Sequence, residues 1–141
     1  MNDETVLETH PAAAWRLPES TRALAQRESQ SLLDEVDGVK AVVVASIDGF
    51  DVASAIRGDT DPARVAAMAS SISAISAVVS QEVALGRNRS VTIDTEGGFA
   101  VVYTVHRPDG ELIVNVIAGT GALLGQVAYR VAQMARTLAA S

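Results

Sequence analysis

The sequence turns on Lys40–Ile56, KAVVVASIDGFDVASAI. Five consecutive apolar residues, Ala41 to Ala45, lead toward Asp48-Gly49, and the chain is apolar again at Val52, Ala53 and Ile56. Asp-Gly between two apolar runs is a strong hairpin signal, because both residues accept positive φ. It predicts strands over 40–47 and 50–56. Side chains alternate across a strand, so Val42 and Val44 point one way and Val43 and Ala45 the other. A strand apolar on both faces needs cover on both. The hairpin therefore predicts a three-layer arrangement, with helices on each side of a sheet.

The covering elements lie on either side of it. Before the hairpin, a helix is predicted over Glu19–Val36, capped by Ser20 or Glu19 and closed near Gly38, with a thin stripe of Leu24, Leu32, Leu33 and Val36. After it, Asp61-Pro62 is a helix start, Asp61 as cap and Pro62 at the first helical position. That helix runs to about Leu85 and stops at Gly86. Its large apolar residues, Val65, Met68, Ile72, Ile75 and Val79, recur at helical spacing and predict the stripe that packs on the sheet. Three strands follow as a meander: RSVTIDT (89–95), FAVVYTVH (99–106) and ELIVNVIA (111–118). A last helix spans about 120–139, with Leu123 or Leu124, Val127, Val131, Met134 and Leu138 inward and Arg130 and Arg136 outward. The order is α-β-β-α-β-β-β-α, with antiparallel pairing within each hairpin group.

The remaining surface of the central helix is unusual. No charge stands between Arg64 and Glu82, and the other positions are largely Ala66, Ala69, Ser70, Ser73, Ser76, Ala77 and Ser80. A water-facing helix normally carries Lys and Glu there. Small neutral residues let another helix approach closely at little side-chain entropy. These positions form a candidate self-association face. The alternatives are a helix buried within its own monomer and an Ala-rich surface set by helix propensity.

Composition excludes several classes. A chain of 141 residues, 48% hydrophobic, suits one domain with a real core. The formal charge of −6 comes about half from the N-terminal stretch, where Asp3, Glu4, Glu8 and Glu19 stand against Arg16. No basic face for nucleic acid is indicated. The absence of cysteine removes disulfides, thiol chemistry and thiolate metal sites. The first residues lack the pattern of a secretion signal, and the uncharged run Val65–Gln81, with five serines, is short for a bilayer. The reading is a cytoplasmic protein without membrane insertion. Residues 1–18 show no period and carry Pro11 and Pro18; they read as a flexible tail, with 19–141 as the domain. Trp15 sits in that tail, either packed on the domain's own surface or serving as a docking peptide.

Catalytic signals are weak. Gly119-Thr120-Gly121-Ala122-Leu123-Leu124-Gly125 follows a strand and opens a helix, the layout that cradles phosphate. The spacing is one residue too long for the dinucleotide pattern, and no acidic ribose ligand follows about twenty positions on. The glycines read better as a tight turn. His10 and His106 have no metal-ligand partners at useful spacing, no serine sits in a nucleophile elbow, and Asp94 with Glu96 marks a strand end. No catalytic, metal or cofactor residue is assigned. Arg87, Asn88 and Arg89 form a polar cluster after the central helix. It is a solvated loop or a contact for an acidic partner, or for a nucleotide that partner holds; Arg64 joins it as a candidate contact.

LLDEVDGVKAVVVASIDGFDVAS (32–54), the Ala/Ser-rich helix ending at Leu85-Gly86, and GELIVNVIAGTGALLGQVAYRV (110–131) together resemble the roadblock/dynein light chain domain. The resemblance covers about Leu24 to Leu138. It implies a profilin-like, five-stranded antiparallel sheet, with the long helix on one face and the terminal helices on the other. It implies homodimers formed through the 62–85 helix and the following strand, here with Val91 and Ile93. It further implies action, without an active site of its own, on a Ras-like small GTPase: as a scaffold, or as a stimulator of GTP hydrolysis like bacterial members of the MglB type. A different class stays open, a structural or sensory module that holds a small ligand or serves a signalling kinase.

Overall fold

The computed structural model describes residues 17–141; Trp15 and most of the N-terminal tail lie outside the described residues. The elements follow the predicted order: α1 (Glu19–Glu35), β1 (Val39–Ser46), β2 (Asp51–Ile56), α2 (Pro62–Glu82), β3 (Ser90–Thr95), β4 (Gly98–Val105), β5 (Leu112–Gly119) and α3 (Leu124–Ala140). One five-stranded sheet has the order β2-β1-β5-β4-β3. Every neighbouring pair is antiparallel. β1 and β5 join the two hairpin groups at the centre, which leaves β2 and β3 as the outer strands.

The doubly apolar β1 has cover on both faces. Val42 and Val44 lie in a core shared with Leu32 and Leu33 of α1 and Val127, Val131 and Leu138 of α3. Val43 and Ala45 lie in a second core with Val65, Ala66 and Ala69 of α2 and Val102 and Ile113 of the sheet. Leu17, within the predicted tail, is buried in the first core. Its burial anchors the chain at the start of α1.

Local chemistry sets the boundaries. Asp61 accepts a hydrogen bond from the Ala63 amide at 3.1 Å, the predicted cap. At α1 neither Ser20 nor Glu19 caps; Pro18 holds that place without a side-chain bond. The β1–β2 turn also differs from the predicted two-residue form. Gly49 takes φ +94° and is the residue of the Asp-Gly pair with positive φ. The Gly49 amide donates to Ser46 O and the Ser46 amide to Phe50 O. The loop is therefore three residues long, Ile47 to Gly49, with the glycine completing it. α2 ends before Gly86. Ala84 takes φ +56°, its amide donates to Gln81 O, and the Leu85 amide donates to Ser80 O, the paired bonds of a Schellman close.

Arg107, in the β4–β5 turn, ties down the last turn of α3. Its side chain is only 4% exposed and binds Asp109 through two bonds, Nε to Oδ1 at 2.8 Å and Nη2 to Oδ2 at 2.7 Å. Nη1 also donates to the Leu138 carbonyl and to Ser141 Oγ. The hydrogen bond from Arg107 holds the Asp109 carboxyl below the usual carboxylate range, and the same bond raises Arg107. Arg130, predicted to point outward, pairs with Glu35 of α1 at 3.0 Å.

Candidate functional site

The site is built on α2 and β3. The sheet beneath α2 presents Val43, Val102 and Ile113. A face already filled by large side chains accepts a helix most closely through small ones. α2 accordingly seats Ala66, Ala69 and Ser73 on the sheet. Ser73 shares a buried hydrogen bond with Thr104 of β4 at 3.2 Å. These three were candidate self-association residues; buried in their own protomer, they present no surface to a partner. Ser70, Ser76 and Ser80 are half-buried and Ala77 is exposed. Ser70 Oγ donates to the Ile47 carbonyl at 2.7 Å and Ser76 Oγ to Asn88 Oδ1 at 3.1 Å.

The predicted inward stripe is corrected with them. Val65 is buried and Ile72 half-buried, but Met68 is 50%, Ile75 66% and Val79 56% exposed. Val78, Val83 and Leu85 continue the exposed apolar surface. The helix is thus rotated relative to the sequence expectation, with small residues in and large residues out. Length and composition alone would let Pro62–Glu82 cross a membrane. Three of its serine hydroxyls, however, tie it to the sheet and its loops.

β3 lies beside this flank. Ile72, Ile75, Ser76, Val79 and Val91 line a groove of about 280 Å³ that joins helix to strand. Ile93 is exposed farther along β3. The Thr104 amide donates to Arg89 O at 3.0 Å. Antiparallel alternation then turns the peptide groups of Ser90, Thr92 and Asp94 away from β4. An unpaired strand edge and an exposed apolar helix flank share one side of the protein.

The polar cluster closes one end of that surface. Asn88 is held by Ser76 and by His106, whose Nε2 lies 3.4 Å from Asn88 O. His106 Nδ1 lies 2.6 Å from Glu111 Oε2, so this histidine is half-buried and paired rather than simply solvated. Arg87 and Asn88 line a cleft of about 490 Å³ with Ala77, Gln81, Ala84 and Gly86. Among the described residues no partner holds the side chains of Arg87 or Arg89; Arg64 stands exposed near the opposite end of α2. Among those residues, no group of three or more His, Asp or Glu could hold a metal ion.

The sequence reading missed Met68, Ile75 and Val79 as surface residues. Their spacing fits an inward stripe equally well, and with no charge from Val65 to Gln81 nothing marks the water side. The one available signal was the β-branched bulk of the sheet face that α2 must cover.

Comparison with known proteins fits this architecture. The chain is similar to a Roadblock/LC7 domain from Streptomyces avermitilis, 19% identical, with a TM-score of 0.72 over 80% of this chain and 92% of that one. It is similar to the gliding protein mglB of Thermus thermophilus, 15% identical, with a TM-score of 0.77 over 88% and 92%. A structure of MglB with a tetrameric arrangement is 16% identical, with a TM-score of 0.77 over 88% and 91%. At such identities the likeness is one of fold. No curated protein matches. The family model of the Roadblock/LC7 domain matches residues 25–114, well over half of the sequence, and the chain belongs to that family.

Proposed function

We propose that this chain is a cytoplasmic, homodimeric, non-enzymatic regulator or scaffold for a Ras-like small GTPase. The carrying observation is the apolar flank of α2, Met68, Ile75 and Val79, set beside the open edge of β3. A two-fold axis at that edge would pair β3 with its copy and bring the two flanks together. Val91 and Ile93 belong to this contact. Of the seven small residues singled out as a self-association face, Ala77 is the one left exposed to join it.

Arg87 and Arg89 then serve as contacts for the acidic surface of the partner or for the nucleotide it holds, with Asn88 lining the same cleft as Arg87. Arg64 adds a cation near the other end of α2. Family membership supports the GTPase as partner. The finer proposal is that binding stimulates hydrolysis, with an arginine stabilising the developing phosphate charge. Mixing the protein with a Ras-like small GTPase of the same organism and following phosphate release tests this. Stimulation that Arg87→Ala or Arg89→Ala reduces at least about tenfold supports it. Binding without stimulation leaves a scaffold, and no binding removes the GTPase reading.

A further inference from the structure

The two outer strands of the sheet are treated differently. On β2 the Arg57 amide donates to Lys40 O at 2.9 Å, which fixes Arg57 and Lys40 as a bonded pair. Alternation along β2 then turns the peptide groups of Ser54 and Ile56 outward, where a further strand would bind. Ser54 does not present them free. Gln26 of α1 donates from Nε2 to Ser54 O at 2.8 Å and accepts from the Ser54 amide on Oε1 at 3.2 Å. A carboxamide has the donor and acceptor of a peptide group, so Gln26 makes the pair of bonds that an added strand would make. Arg57, just past the end of β2, fastens the same edge to α1: its Nη2 donates to Leu33 O at 3.2 Å and lies 3.7 Å from Asp34. β3 has no comparable cover, and among the described residues no side chain from another element bonds its outer edge.

We infer that the β2 edge is a strand-accepting surface that Gln26 keeps closed, and that its fitting partner is the β2 of a second copy. An open outer strand is a template for pairing with another chain, and proteins block such edges by covering them. With β3 as one pairing edge, an open β2 would give every assembled pair two further edges. Edge-to-edge pairing would then extend into an open-ended array instead of closing. The clamp on Ser54 confines sheet pairing to one side of the protein. Its plateau at two chains rests on the β3 reading above; the clamp itself does not.

Gln26 is solvent-exposed, so Gln26→Ala leaves both cores untouched. Light scattering across a concentration series reads the outcome. The wild type should plateau at two chains. Gln26→Ala should continue to higher mass, its added association step tighter by on the order of tenfold for two lost competing hydrogen bonds. Gln26→Ala with Ser54→Pro should return to the wild-type plateau, because proline removes the outward donor of an edge strand and leaves the β1 pairing intact. A Gln26→Ala protein with unchanged thermal unfolding and wild-type mass at every concentration overturns the inference. So does growth that Ser54→Pro fails to reverse. A wild type that stays monomeric while Gln26→Ala grows removes the dimer reading and keeps the clamp.

Discussion

Replacing Ile75 by Glu separates association from folding. Ile75 is 66% exposed on the outer flank of α2 and contributes to the groove with Val79 and Val91. Fully burying an isoleucine is worth about 1.5–3 kcal/mol, so covering the exposed two-thirds yields about 1–2 kcal/mol. A two-fold interface contains the residue twice, which makes the loss about 2–4 kcal/mol per dimer. At 1.4 kcal/mol per decade, Ile75→Glu should weaken self-association roughly 30- to 700-fold, before any cost of desolvating the charges. The monomer should unfold within about 0.5 kcal/mol of wild type under conditions where both are single chains, because the substitution stays in water. Ser73→Glu, two residues away, should do the opposite. Ser73 is buried against Thr104, so a carboxylate there costs at least about 3 kcal/mol of folding stability whatever the oligomeric state. Sedimentation equilibrium for association and urea titration for stability make the test. If Ile75→Glu associates like wild type, the flank is not the interface. If Ser73→Glu folds normally and only dissociates, the rotation of α2 described above is wrong.

Arg107→Ala should cost about 2–3 kcal/mol in urea unfolding, because it strips Asp109 and the last carbonyls of α3 of one buried donor group. The Asp109–Arg107 pair also makes stability pH-dependent with a definite sign. The carboxyl is held low in the folded state, so its contribution is present above the ordinary carboxylate range and is lost as pH falls below that range, through the lowered folded-state value. The stability gap between wild type and Asp109→Asn, read from urea midpoints, should be full near neutrality and narrow as pH falls below the ordinary carboxylate range; a gap unchanged on acidification would dismiss the pairing. Gly98→Ala should destabilise by about 2–5 kcal/mol. Its φ is +140°, and an added Cβ would stand 2.1 Å from Ala118 O, so a variant with the wild-type thermal midpoint would contradict the close β4–β5 approach.

The topology was legible because its signals are local and reinforce one another. The doubly apolar run Ala41–Ala45 demanded cover on both faces, Asp48-Gly49 turned the chain, and Asp61-Pro62 started the helix supplying one cover; all three recur in the structure. The facing of α2 was not legible, for a reason of the same physical kind. Periodicity identifies the core side of a helix only when the other side is polar, and from Val65 to Gln81 neither side carries a charge. Two rotations then satisfy the pattern, sharing Val65 and Ile72, and the choice between them depends on what the sheet presents. Val43, Val102 and Ile113 already fill that space, so Ala66, Ala69 and Ser73 fit beneath the helix and Met68, Ile75 and Val79 turn outward. Gln26 was equally out of reach, since its meeting with Ser54 spans 28 positions and exists only once α1 lies beside β2. The same facts constrain what can cover the site. The apolar flank calls for an apolar helix surface and the bare edge of β3 calls for a strand. An unrelated protein could offer either. A second copy of this chain carries both, so one two-fold contact would answer both demands at once.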